Sequence, residues 1–239
     1  MKTEIARFIE DNIPAFHQRR LERLGSLKLT TILKRKNPYL FKAKNIDTAA
    51  DLVKGLLDAH LSSQEETVFG TFLESVAIFS CTLAYGGRKS AAEGIDLEFV
   101  KDDALYLVSV KSGPNWGNSS QIKKMRDNFR QARKILSANA STRNIIAVNG
   151  CCYGRGSTEQ GDYAKICGEH FWTLISGVPT LYTEIIEPIG YKAKQRNDAF
   201  QAEYAKVANR FTLEFIRLFC FSDGAVDWAR IVRFNSGAT

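Results

Sequence analysis

Residues 94–112 change the period of the chain. The stretch GIDLEFVKDDALYLVSVKS holds two short runs, 94–100 and 104–112, rich in Ile, Leu, Val, Phe and Tyr and parted by a polar turn, which is the pattern of a β-hairpin. A turn centred on Asp102-Asp103 sets Asp96 opposite Ser109 and puts Lys111 one diagonal step away on the same face. The other face carries Ile95, Leu97 and Phe99 against Tyr106, Val108 and Val110, an apolar surface for a core. On an ordinary hairpin the Asp96–Lys111 pair is a surface ion pair contributing under ~1 kcal/mol. What sets this pair apart is the stretch after Lys111, SGPNWGNSS, nine residues without charge that lead into a helix expected from about Ser119 to Ser137. Many donors at a helix entrance suit a phosphate oxygen better than bulk water.

Helical spacing governs the flanks. Ile5, Phe8, Ile9, Phe16, Leu21 and Leu24 predict two short helices or one kinked helix around Pro14. Residues 48–87 predict two more. The second starts near Ser62 or Ser63 and stops before Gly86-Gly87, with Val68, Phe72, Val76 and Phe79 on its apolar face and Glu74 within it. NIIAVNGCC predicts a buried strand. Residues 162–177, 179–190 and 193–219 predict helices, with a last short one around Trp228 and Ile231. Helices, a hairpin, a helix and another strand make an α/β domain with a mixed sheet.

Composition narrows the class. With 239 residues, 44% of them hydrophobic, the chain can bury a sizeable core and reads as one globular unit. Lys and Arg number 33 against 26 Asp and Glu, a surplus of +7 that favours polyanionic partners. The five cysteines are odd in number and lack a CxxC spacing, so neither a disulfide framework nor a zinc site is expected, and a reducing, cytoplasmic compartment fits. Charge interrupts the N-terminal apolar pairs, and no uncharged apolar run approaches a membrane span, so no export signal and no membrane partner are expected. His17, His60 and His170 are scattered, which disfavours a histidine-metal site. No GxxxxGK[ST] occurs, so no nucleotide cofactor is expected.

Glu74 on a helix, Asp96 opening one strand and Ser109-Val110-Lys111 closing the next resemble the PD-(D/E)XK nuclease superfamily over about Glu74 to Gln121. Within that span SVKSGPNWGNSSQ looks most like type II restriction endonucleases. The resemblance implies a restriction-endonuclease-like core, a central mixed β-sheet flanked by helices, with helical N- and C-terminal additions. The whole chain is then a single nuclease domain: N-terminal helices over about 1–61, a catalytic core over about 62–160 and a helical part over about 161–239.

The resemblance further implies a catalytic set of Asp96, Lys111, Glu74 and Ser109. Asp96 is a metal ligand, Lys111 orients water and stabilises charge on the phosphate, and the backbone carbonyl of Val110 completes a Mg2+ site. Ser109 stands where an acid is usual, so one carboxylate is missing. Glu74 is the candidate replacement, with Glu98 and Glu93 as lesser substitutes. The chemistry agrees, because phosphodiester hydrolysis calls for a hard cation on carboxylate oxygens, a second positive charge and an in-line water. Asn115, Asn118, Ser119, Lys123 and Lys124 are the expected DNA contacts. Gln121 could reach the phosphate or Lys111, and Arg88, Lys89 and the loop around Arg155 could reach a groove.

The expected function is a Mg2+-dependent type II restriction endonuclease cutting both strands of a short palindromic duplex to leave 5′-phosphate ends. A symmetric site calls for a homodimer. The alternatives are a structure-selective repair or recombination nuclease and a non-catalytic DNA-binding module of the same fold.

Overall fold

The computed structural model describes residues 1–139 and 144–237. The backbone divides into two compact units, one of residues 1–14 and 69–191, the other of residues 15–68 and 192–239. Two helices supply residues to both. Helix α1 (Lys2–Gly25) is a single helix that accommodates Pro14. After the short α2 (Leu29–Leu33) and α3 (Pro38–Ala43), α4 runs unbroken over Ala49–Tyr85. The break expected near Ser62 or Ser63 does not occur. Leu57 and Leu61 before the two serines and Val68 and Phe72 after them are buried on one side of the helix, so burial favours continuing the helix through two residues that by propensity would cap one. By length and composition α4 could cross a membrane, yet Val53, Leu57, Val76 and Ala77 are fully buried within the protein.

The first unit is built on a five-stranded mixed sheet ordered β1-β2-β3-β5-β4. Strands β1 (Leu97–Lys101) and β2 (Ala104–Lys111) form the expected hairpin, with Leu97 opposite Val108 and Lys101 opposite Ala104. Asp102 and Asp103 both take positive φ, 49° and 57°, the backbone hand that a two-residue hairpin turn requires. Strand β3 (Asn144–Cys151) runs parallel to β2 and pairs Ser109 with Asn149 and Lys111 with Cys151. Beyond it lie β5 (Ala164–Cys167), parallel to β3, and β4 (Ser157–Glu159), antiparallel to β5.

Strand β5 corrects the expectation that residues 162–177 are helical throughout. Only α6 (Glu169–Ser176) is helix there. Gly168, with φ 54°, turns the chain between strand and helix so tightly that a Cβ on it would meet the Gly154 carbonyl oxygen at 2.3 Å. Helix α5 (Ser119–Asn139) lays Met125, Phe129 and Ala132 over Leu107, Ala147, Tyr163 and Ile95, which lies ahead of β1 and packs on this side rather than with Leu97 and Phe99 as strict alternation predicts. The polar side of the hairpin is therefore covered as well: Leu107, Val108, Ser109 and Val110 are all buried, as befits a strand inside a sheet rather than at its rim. Short α7 (Leu181–Glu184) and α8 (Ile186–Ile189) close the unit.

The second unit is helical. Helix α9 (Ala193–Phe219) has the bounds expected from its periodicity and buries Phe200, Val207, Phe211, Phe215 and Phe219. They pack with Leu52, Leu56 and Leu57 of α4, with Leu29, Ile32 and Phe41 of α2 and α3, and with Ile231 of α10 (Trp228–Ser236).

Candidate active site

Asp96 sits one residue ahead of β1 and donates its backbone N–H to the Val108 carbonyl at 2.9 Å, which fixes its side chain over the end of β2. One carboxylate oxygen, Oδ2, then collects three groups: the Val110 N–H at 2.7 Å, the Ser109 hydroxyl at 3.4 Å and the Lys111 ammonium at 3.7 Å. The other oxygen, Oδ1, has no protein partner among the described residues. The Asp96 and Lys111 side chains are 22% and 26% exposed, so the pair is half-buried and only partly screened. The Lys111 Nζ also lies 5.1 Å from the centre of the Trp116 ring, a cation–π contact supplied by the uncharged loop after β2.

Glu74 approaches from α4. Gly70, one turn earlier, passes so close to the start of this loop that a Cβ on it would lie 3.7 Å from the Ser112 Cβ. The Glu74 carboxyl is held above the usual glutamate range, first by burial and then by the negative charge of Asp96, with Lys89 at 3.5 Å and Lys111 opposing the shift. The other two carboxylates weighed in its place are engaged elsewhere. Glu98 accepts from Arg88 Nε at 2.7 Å and from the Ser90 hydroxyl at 2.8 Å, while Glu93 is largely exposed and pairs with Lys124 at 3.3 Å. Among the described residues no three His, Cys, Asp or Glu side chains gather in a metal-sized cluster. The site brings together two carboxylates, a lysine and a strand backbone.

Two polar residues of the same sheet face escape a reading of the sequence. Ser109 aligns with Asn149, and Asn149 with Lys165 of β5, so a polar row crosses three strands; Ser109 and Asn149 are 1% and 2% exposed. Lys165 donates to the Pro114 carbonyl at 2.8 Å and so ties β5 to the loop that carries Trp116. The Asn149 within NIIAVNGCC was a visible signal, a polar residue inside an apolar run. Lys165 gives no such signal, because its segment has the spacing of a helix and only the structure makes it a strand.

The side chains expected to meet DNA divide. Asn118 and Gln121 form a reciprocal cap at the start of α5: the Asn118 Oδ1 accepts the Gln121 N–H at 3.1 Å, and the Gln121 Oε1 accepts the Asn118 N–H at 3.0 Å. Asn115, Ser119 and Lys123 are exposed. Farther along α5, Arg126 and Arg130 converge on Asp162 at 2.8 and 2.6 Å, which holds the Asp162 carboxyl below its usual range, first through the hydrogen bond from Arg126. Arg88 bridges to Glu98 and Lys89 to Glu74, while Arg155 is exposed beyond β3.

A mixed sheet flanked by helices, with an acid ahead of one hairpin strand, a lysine closing the other and a glutamate brought in on a long helix, is the restriction-endonuclease-like core of the PD-(D/E)XK superfamily. Residues 3–197 match the family model of the Type II restriction endonuclease EcoO109I, and the chain belongs to that family. No curated protein sequence matches the chain. The protein is a restriction endonuclease, a nuclease whose substrate is DNA.

Proposed function

We propose that the protein is a cytoplasmic, Mg2+-dependent type II restriction endonuclease that hydrolyses both strands of a short palindromic duplex and leaves 5′-phosphate and 3′-hydroxyl ends. The observation that carries this reading is the Asp96 carboxylate, which is gathered with Lys111 on one oxygen, open on the other and electrostatically coupled to Glu74. Two carboxylates set against each other fit a hard divalent cation, with the Val110 carbonyl as a third oxygen donor and water filling the remaining positions. When bound, the ion neutralises the scissile phosphate and lowers the pKa of a bound water.

The chain's own groups do the rest. The Val110 N–H and the Ser109 hydroxyl orient Asp96. Lys111, held between Asp96 and Trp116, supplies positive charge where the phosphate oxygens gain negative charge as water attacks phosphorus and the P–O3′ bond breaks. Asn115, Ser119, Lys123 and Lys124, with the free amide of Asn118, meet the DNA backbone, where contacts position rather than specify. Both compact units serve this one nuclease.

A homodimer would match the symmetry of the site. Its surface is read in the helical C-terminal part, where α9 and the turn after it expose Leu213, Ile216, Leu218 and Phe221, with Leu213 59% exposed. Light scattering at micromolar concentration is expected to give twice the chain mass.

The decisive experiment incubates the protein with unmethylated phage DNA, with and without Mg2+, beside a Lys111→Ala control. Discrete Mg2+-dependent fragments absent from the control support the reading; intact DNA on several unrelated templates overturns it. Cleavage of branched but not plain duplex DNA would point to a structure-selective nuclease instead.

A further inference from the structure

The net positive charge of the chain belongs to one unit. Residues 15–68 and 192–239 hold 18 Lys and Arg against 11 Asp and Glu, whereas the unit carrying the sheet holds 15 of each. The surplus of seven therefore lies wholly in the helical unit, and its densest part is residues 28–44, KLTTILKRKNPYLFKAK. Lys28, Lys34, Arg35, Lys36, Lys42 and Lys44 stand there without a single acid.

The segment presents these cations on a rigid mount. Leu29, Ile32, Leu33, Pro38 and Phe41 are buried and turn the opposite side of α2 and α3 into the helical core. Asn37 caps α3 by accepting the Tyr39 and Leu40 N–H groups, and Asn235 donates to the Leu33 carbonyl at 2.7 Å and the Lys36 carbonyl at 3.2 Å, which pins the connection between the two helices. Among the described residues none of the six cations has a carboxylate within ion-pair distance. Lys34, Lys42 and Lys44 lie instead over the rings of Phe234, Trp228 and Phe41, at 5.5, 5.4 and 5.9 Å. Such contacts hold the stems while leaving the charge uncancelled. Tyr39, 63% exposed, adds a phenol that can donate to a phosphate oxygen. A merely solubilising face mixes both signs, and this one does not.

We infer that the α2–α3 face binds the phosphate backbone of duplex DNA independently of sequence, as a second contact surface carried by the helical unit and separate from the residues around Asp96. The inference rests on the nuclease reading for the identity of the polyanion. Backbone binding of this kind releases counterions, so it leaves a signature in the salt dependence of affinity, about 0.9 in log–log slope per phosphate neutralised.

The test compares the full-length protein with a variant carrying Lys28→Gln, Lys34→Gln, Arg35→Gln, Lys42→Gln and Lys44→Gln, all at exposed positions. A control loses the same charge elsewhere in the unit through Lys54→Gln, Lys194→Gln, Lys206→Gln, Arg210→Gln and Arg217→Gln. Affinity for a duplex of arbitrary sequence is measured in EDTA between 50 and 200 mM NaCl. The α2–α3 variant is expected to bind at least about tenfold more weakly at 50 mM salt, with a slope shallower by about 2 or more, while the control changes by less than about threefold. Equal losses in both variants, or no loss in the first, overturn the inference, as does tighter binding of the wild type to anionic lipid vesicles than to the duplex. Should the fivefold variant fail to fold, Lys34→Gln with Arg35→Gln alone is expected to lower the slope by about 1 or more, and an unchanged slope overturns the inference. A wild type that binds through this face but never cleaves refutes the nuclease reading alone; one that cleaves with both variants binding normally refutes this inference alone.

Discussion

The Asp96 carboxylate accepts the backbone N–H of Val110 at 2.7 Å, so the acid ahead of one hairpin strand is locked to the residue before Lys111 on the other. The bond makes the position of Asp96 a property of the sheet rather than of a flexible side chain. Asp96→Asn keeps the shape but removes the charge. It is expected to lower the cleavage rate by at least ~100-fold, the scale of removing one group aimed at transition-state charge. DNA binding measured in EDTA should stay within about threefold. Retained cleavage would remove Asp96 from the chemistry.

Glu74 makes a pH prediction whose sign follows from its raised pKa. Burial and the Asp96 charge make the folded protein hold the Glu74 proton to higher pH than the unfolded chain does. Stability from this group is thus present at low pH and declines as pH rises from the unfolded value, roughly 4.3, through the folded one. Glu74→Gln is expected to raise the melting temperature at pH 7 without divalent ions, and the gain should vanish near pH 4. Mg2+ should raise the melting temperature of the wild type and do so less for Glu74→Gln. A variant that melts below the wild type at pH 7 would contradict the electrostatic account.

His17 works the other way. Burial, then Arg20 and Arg196, lower its pKa to about 4, so it is neutral in the fold and charged in the unfolded chain below the usual imidazole value of about 6.5. Its contribution is complete above about pH 6.5 and is lost as pH falls toward 4. Denaturant titrations of the wild type and His17→Gln should converge over that window, and parallel curves would show that His17 does not titrate as described.

Lys165 ties β5 to the Pro114 carbonyl and, through that loop, to the ring beneath Lys111. Lys165→Met keeps the stem and removes the donor. The expected stability loss is about 1 kcal/mol, one hydrogen bond. Cleavage should fall further, about tenfold in kcat with affinity little changed, because a loosened loop misplaces the lysine. Lys165→Arg should recover part of the rate. Hydrogen exchange over residues 112–117 should quicken in Lys165→Met, and unchanged exchange with unchanged kcat would dismiss the tie as irrelevant to the site.

Much of the site was legible because its signals are local. The hairpin, its Asp102-Asp103 turn and the register that sets Leu97 against Val108 follow from alternation over neighbouring residues, and the bounds of α9 follow from a sustained apolar stripe. Signals that depend on distant burial were not legible. Ser62 and Ser63 look like a helix start until Leu61 and Val68 are seen to be buried on either side of them. Ala164–Cys167 is too short to declare itself a strand without β3 beside it. Asn118 and Gln121 satisfy each other rather than standing free, a reciprocity that spacing permits but does not announce.

The sequence by itself determined that Asp96 and Lys111 meet, because two residues on one face of a tight hairpin have nowhere else to go. The tertiary structure decided how the three candidate carboxylates are surrounded. Glu74, Glu93 and Glu98 are chemically equivalent in the sequence, and only the course of α4 past Ser112, together with the capture of Glu98 by Arg88 and Ser90 and of Glu93 by Lys124, sets Glu74 in the field of Asp96. Local order is written in the period of the chain. Proximity across about 20 residues or more is decided by which surfaces leave water together.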